Sequence, residues 1–125
     1  MKVISARAHG IIDYLAVAVM AIAPTVLNFS DRAAGLAYLI AGSYFVISIL
    51  TRMPLGLIKL IPFRLHGAIE FIAGVGLMLA PWLLGFANDT MARVFFVTMG
   101  FTTLIVFLLT DWAYETREAR TYRRI

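Results

Sequence analysis

Four runs of about twenty apolar residues, separated by short polar breaks, restrict this chain more than any other feature. They cover Gly10–Phe29, Ala33–Leu50, Gly67–Phe86 and roughly Ala92–Thr110, with breaks such as Ser30-Asp31-Arg32 and Asn88-Asp89-Thr90. A helix rising 1.5 Å per residue needs about that length to cross a bilayer core. Inside that core no water serves the backbone N–H and C=O groups, so each run must bond to itself as a helix. Composition agrees: 62% of residues are hydrophobic, only 14% are charged, and mean hydropathy is +0.88. Soluble domains carry about 25% charged residues. The absence of cysteine removes thiol nucleophiles, disulfides and cysteine-based metal sites. The expected fold is all-α, an integral membrane four-helix bundle, as a single domain over residues 1–125.

The net charge of +4 is no nucleic-acid footprint, because the basic residues stand at the ends of the apolar runs, where headgroups lie. Lys2, Arg7, Arg52, Lys59, Arg64, Arg117, Arg120, Arg123 and Arg124 fall on one side of the expected bilayer; Arg32 and Arg93 fall on the other. The positive-inside rule then puts both termini and the middle loop in the cytoplasm, with the chain expected in the cell's inner (cytoplasmic) membrane. Met1-Lys2 followed by an apolar run and Ala21-Ile22-Ala23 resembles a secretory signal. Asp13 within the run, Pro24 directly after the small residues, and recurrence of the segment later in the chain favour a retained helix. Residues 113–125 read as a cytoplasmic tail, a short helix near the headgroups.

That recurrence is an internal repeat. Shifted by 57 residues, Lys2–Phe29 aligns without gaps on Lys59–Phe86. The identities include Lys2/Lys59, Arg7/Arg64, His9/His66, Gly10/Gly67, Pro24/Pro81 and Phe29/Phe86, with Asp13/Glu70 as a close replacement. Shared apolarity matches Leu with Leu, but it does not match Lys, Arg, His, Gly and Pro at one offset. The second helix of each hairpin matches poorly. Repeat 1 covers about 1–52 and repeat 2 about 58–112. Two spans per repeat means both copies enter the membrane in the same direction. The halves are therefore expected to be related by a pseudo-twofold axis along the membrane normal.

The stretch Gly76-Leu77-Met78-Leu79-Ala80-Pro81-Trp82-Leu83-Leu84-Gly85-Phe86 resembles the signature of the SPW-repeat membrane proteins. These are duplicated two-helix units named for a Ser-Pro-Trp motif in the first helix of each unit. Ala80 stands where that motif has serine, and the first copy, Ala23-Pro24-Thr25, keeps only the proline. The resemblance implies a duplicated hairpin fold and brings no established activity with it.

In the third span His66, Glu70, Gly74, Leu77 and Pro81 are spaced to share one helix face; His9, Asp13, Val17, Met20 and Pro24 trace the same face in the first. Ionisable side chains rarely face lipid, so both faces are expected to point inward. The glycine after each histidine is expected to let the two backbones approach. Read structurally, Asp13 and Glu70 sit in the first helical turns, favoured by the dipole, and the His–carboxylate pairs lock the repeats together. Read chemically, His9, Asp13, His66 and Glu70 could ligate Zn, Mn or Fe, the two histidines could hold a haem, or the set could pass protons.

Arg7 and Arg64 are expected to snorkel to headgroups, Trp82 and Trp112 to anchor the interfaces, and Pro24 and Pro81 to kink their helices. Ala33, Ala37 and Ala41 form a small-residue stripe on the second span. We find no nucleotide loop and no nucleophile-with-base pattern in the chain. The sequence reads as a non-enzymatic structural or accessory membrane protein without a cofactor, partnered by lipid and by copies of itself or a larger membrane complex. A metal- or haem-binding protein is the alternative, and an oligomeric transporter or channel the third reading.

Overall fold

A computed structural model describes residues 2–124 as helices α1 (Ala6–Val26), α2 (Asp31–Ile49), α3 (Phe63–Leu83), α4 (Thr90–Leu109) and α5 (Tyr114–Arg123). The first four are each long and apolar enough to cross a membrane. α1 packs along α2 and α3 along α4, giving the two expected hairpins. The spans begin earlier than the apolar runs suggested. Ser5 caps α1, its hydroxyl accepting the Ala8 N–H at 3.1 Å, so the helix starts before Gly10. α3 likewise starts at Phe63.

The proline-containing ends repeat in detail. Pro24 and Pro81 lie two residues from the ends of α1 and α3, so the backbone bond each removes redirects only the last turn. Beyond them Asn28 (φ 53°) and Gly85 (φ 77°) take left-handed backbone. The Phe29 N–H reaches back to the Pro24 carbonyl at 3.0 Å, and the Phe86 N–H to that of Pro81 at 2.8 Å. Both ends are Schellman caps, which satisfy carbonyls that otherwise face lipid and bury the following phenylalanine.

The two hairpins are cross-tied at the basic end, where residues 2–5 and 50–62 lie. The Val3 and Ile4 N–H groups donate to the Leu109 carbonyl at 2.9 and 3.0 Å, and the Asp111 N–H donates to the Ile4 carbonyl at 2.9 Å. The Leu60 and Ile61 N–H groups donate to Leu50 at 2.9 and 2.7 Å, and the Arg52 N–H donates to Ile61 at 2.8 Å. Each repeat's entry segment is thus bonded to the other repeat's exit, as a pseudo-twofold requires.

Apolar packing forms two clusters. The larger, with Met20, Phe29, Ala33, Ala37, Leu77, Phe86 and Phe96, fills the end opposite the basic one. The smaller, with Ala6, Met53 and Phe63 under Trp112 and Tyr114, closes the basic end. The stripe Ala33, Ala37 and Ala41 is buried inside the bundle. The α3 and α4 backbones approach closely at Gly74 and Gly100, where a Cβ on Gly100 would stand 2.5 Å from the Gly74 oxygen.

Candidate functional site

Between the two apolar clusters lie four ionisable side chains. α1 supplies His9 and Asp13, α3 supplies His66 and Glu70, and all four are at most 3% exposed. The i, i+4 spacing stacks each pair one turn apart on the inward face. The predicted stripe is buried almost throughout, with Met20, Pro24, Gly74, Leu77 and Pro81 continuing it; only Val17 is partly exposed. The two repeats meet here directly. His9 Nε2 lies 3.2 Å from Asp13 and 3.1 Å from Glu70, and His66 Nε2 lies 3.1 Å from Asp13 and 3.4 Å from Glu70. The imidazole centroids are 5.5 Å apart.

Two details correct the sequence reading. Asp13 and Glu70 are not in first turns, because α1 and α3 begin at Ala6 and Phe63; neither first turn contains an acid. Helix-dipole stabilisation falls off within the first turn, so burial beside the histidines, and not the dipole, accounts for them. Gly10 and Gly67 do not bring backbones together either. Each makes room for a loop side chain: a Cβ on Gly10 would meet Leu55 at 3.3 Å, and one on Gly67 would meet the Trp112 ring at 2.9 Å.

Sequence reasoning missed three residues, all on or just beyond the second helix of a hairpin. Thr110 Oγ1 lies 2.8 Å from His9 Nδ1, and Thr51 Oγ1 lies 2.8 Å from His66 Nδ1. Each threonine spends its proton on a carbonyl one turn back, Val106 or Ile47, at 2.6 Å. Each must therefore accept from the histidine, so Nδ1 carries hydrogen and Nε2 faces the carboxylates. Tyr44 of α2 donates to Asp13 at 2.7 Å and also touches Glu70. The signal that could have found the threonines is a second offset. At 59 residues Ala33 matches Ala92, Ala41 matches Gly100 and Thr51 matches Thr110.

His9 Nε2, His66 Nε2, Asp13 Oδ2 and Glu70 Oε2 are buried and find no partner outside the cluster; each nitrogen lies 3.1 Å from one of these oxygens. One ligating atom from each of the four residues lies within 4.8 Å of all the others. Buried polar atoms are ordinarily paired; with hydrogen on Nδ1, the inward nitrogens and the carboxylate oxygens are all acceptors, and a cation among them would pair them.

Trp112, expected at the interface, turns inward. Its ring packs 5.0 Å from His9 and 4.7 Å from Phe63, and its Nε1 donates to the Phe107 carbonyl at 2.9 Å. Trp82 is 59% exposed on the outside of the bundle. Arg7 and Arg64 are exposed, and Arg64 Nε donates to the Trp112 carbonyl at 3.4 Å. Outside the spans, the Phe63 N–H at the start of α3 donates to Glu115, and Arg117 pairs with Asp111, whose carboxyl this guanidinium holds below its usual range. These contacts tie α5 to the lid formed by Trp112.

The model of the SPW repeat domain matches residues 7–111. The chain belongs to the SPW repeat family. No curated protein and no solved structure matches it. In this SPW repeat protein the named motif itself, Pro81-Trp82 and its counterpart at Pro24, builds helix ends far from the polar cluster. The cluster is assembled instead from the opposite ends of the same two helices.

Proposed function

We propose that this small membrane protein holds one divalent transition-metal ion, of the Zn, Mn or Fe class, at the junction of its two repeats. The observation that carries the reading is the set of four buried ligand atoms that find no partner outside the cluster. An ion held tetrahedrally at about 2.0–2.1 Å sets its ligands about 3.3 Å apart; His9 Nε2 to Glu70 Oε2 and His66 Nε2 to Asp13 Oδ2 are each 3.1 Å, and one ligand atom from each of the four residues lies within 4.8 Å of all the others. Three chemical features support it. The threonines fix Nδ1–H and aim the other nitrogen of each ring inward, the second-shell arrangement of ligating histidines. Tyr44 has one proton for two carboxylates, so one of its contacts pairs two oxygens, and a cation beside them relieves that repulsion. Two neutral imidazoles with two carboxylates cancel the charge of a divalent ion, which lowers the cost of burying it.

Bound there, the ion staples α1 to α3 and supplies a closed, non-enzymatic centre. The charge asymmetry supports an inner-membrane location with both termini cytoplasmic. A bundle this slender also has a high lipid-facing perimeter for its interior, which suits association with further copies or a larger complex.

One observation favours a second, purely structural reading. With both imidazoles protonated, two positive and two negative charges also sum to zero, and the shared cluster alone pins the repeats. Metal content of detergent-purified protein, prepared without chelator, separates the two. About one ion per chain is expected for a single four-ligand site, lost in His9→Ala and His66→Ala. A metal-free protein that neither takes up zinc, manganese or iron on titration nor melts higher in their presence refutes the metal reading and leaves the structural one.

A further inference from the structure

The bundle is not sealed along all its seams. α2 and α3 meet only sparsely, whereas each is packed firmly along its hairpin partner. In the gap lies a cavity of about 240 Å³ whose lining includes the polar residues Ser43, Tyr44, Glu70 and Thr103. A second apolar cavity, about 280 Å³, continues from it toward Leu84 and shares Ile40, Ala73 and Leu77 with the first. The two form one furrow, polar at one end and apolar along the rest. It runs from Glu70 to Leu84, a rise of about 21 Å along a helix.

Its surroundings restrict what can enter. The rim carries Leu39, 66% exposed on the face turned to lipid, so the furrow samples molecules dissolved in the bilayer. Tyr44 lies five residues before the end of α2, about 7.5 Å inside the helix terminus. A phosphate headgroup does not reach that depth without leaving water. A fatty-acid carboxylate would be set against Glu70. The polar end suits a neutral head that both donates and accepts. Thr103 Oγ1 has given its proton to the Met99 carbonyl at 2.8 Å and keeps lone pairs to accept. Glu70 lines the same end, but its Oε2 is turned to His9 Nε2 at 3.1 Å, so the carboxylate bounds the head without bonding to it. Ser43 brings a hydroxyl that can donate or accept.

We infer that the α2–α3 furrow binds a neutral, membrane-dissolved lipid with a hydroxyl or phenol head and one long apolar chain. The head bonds to Ser43 and Thr103, and the chain lies along Ile40, Ala73 and Leu77. The class includes alkyl hydroquinones and long-chain alcohols. The inference goes beyond the metal reading, although Tyr44 and Glu70 belong to both walls.

The test uses the whole chain in phosphatidylcholine nanodiscs, titrated with decyl-hydroquinone in its reduced form, with metal content measured on the same samples. Saturable binding at about one molecule per chain is expected for a single furrow. Ala73→Phe, which fills the furrow from its lipid-facing wall, is expected to abolish that binding and leave metal content unchanged. Ser43→Ala with Thr103→Val is expected to weaken binding about tenfold, since a lost hydrogen bond is worth of order a factor of three to ten. Absence of saturable binding, or binding that Ala73→Phe leaves intact, overturns the inference. So does a tightly held phospholipid or fatty acid that the hydroquinone cannot displace. Loss of metal from wild type with hydroquinone binding retained would sink the metal reading alone.

Discussion

Replacing Thr110 by valine changes almost nothing in shape and removes one hydroxyl. That hydroxyl donates to the Val106 carbonyl at 2.6 Å and accepts from His9 Nδ1 at 2.8 Å. His9 is completely buried, so in the variant its N–H has nowhere else to go. A buried donor left without an acceptor costs about 1–3 kcal/mol. The neutral bond to Val106 contributes up to about 1 kcal/mol more, which puts the expected loss at roughly 1–4 kcal/mol. Steric-trap unfolding in bicelles measures it directly. Thr110→Ser keeps the hydroxyl and is expected to recover most of the loss. The pseudo-twofold supplies an internal check, because Thr51 makes the same two bonds to Ile47 and His66. Thr51→Val should cost the same to within about 0.5 kcal/mol. Metal affinity should fall ten- to hundredfold in either variant, the usual effect of removing an outer-shell partner. The reasoning fails if Thr110→Val unfolds within about 0.5 kcal/mol of wild type, or if serine is no better than valine.

Gly100→Ala is expected to destabilise the α3/α4 hairpin by about 1–3 kcal/mol, because the new Cβ meets the Gly74 oxygen at 2.5 Å and Met78 N at 2.9 Å, and backbone cannot step aside. Gly76→Ala, with nothing within 4 Å of its Cβ, should stay within about 0.5 kcal/mol of wild type in the same unfolding assay, and equal effects at the two sites would refute this packing. Asp89 accepts the Ser30 N–H at 2.7 Å and caps α4 through the Ala92 N–H at 3.1 Å, and the Ser30 bond is the chief reason its carboxyl sits below the ordinary value of 3.8. A depressed folded value means the stabilisation is full above 3.8 and is lost as pH falls through the folded value. Asp89→Asn, with one acceptor oxygen for two donors, should cost about 1 kcal/mol at neutral pH and flatten that acid limb in thermal melts; an unchanged limb would show that Asp89 does not carry it.

The membrane class, the four spans and the inward stripe were legible because they rest on long apolar runs and a 3.6-residue period, which tertiary packing in lipid does not override. The equivalence of His9 and His66 was legible through matched residues at one offset, a signal that apolar drift does not imitate; that the two meet was not. What the sequence hid lies past the outer loops. The first repeat passes from Phe29 straight to its α2 cap at Ser30, whereas the second inserts Ala87 and Asn88 before Asp89. That insertion moves the offset from 57 to 59, so Thr51 and Thr110 never face one another in the first alignment. Tyr44 was invisible for another reason. Its counterpart at the second offset is Thr103, and one tyrosine serves both carboxylates where strict symmetry would supply two. Trp112 misled because an aromatic just beyond an apolar run reads as a belt residue. Its actual position depends on the space left by Gly67, which only the packed structure reveals.

The cross-ties at the basic end also bear on how such a chain comes to exist. Residues 3–4 are held by Leu109, and residues 60–61 by Leu50. Neither hairpin closes on itself; each finishes the other. Two separate copies of an ancestral hairpin, paired about a twofold axis, would make these same bonds between chains as an isologous dimer. Joining them through the short loop that holds Met53 and Lys59 turns a concentration-dependent encounter into an intramolecular one, at an effective concentration in the millimolar range. Fusion also frees the halves to diverge. A single tyrosine and one carboxylate lengthened from Asp13 to Glu70 become possible only when the two sides of the axis are encoded separately.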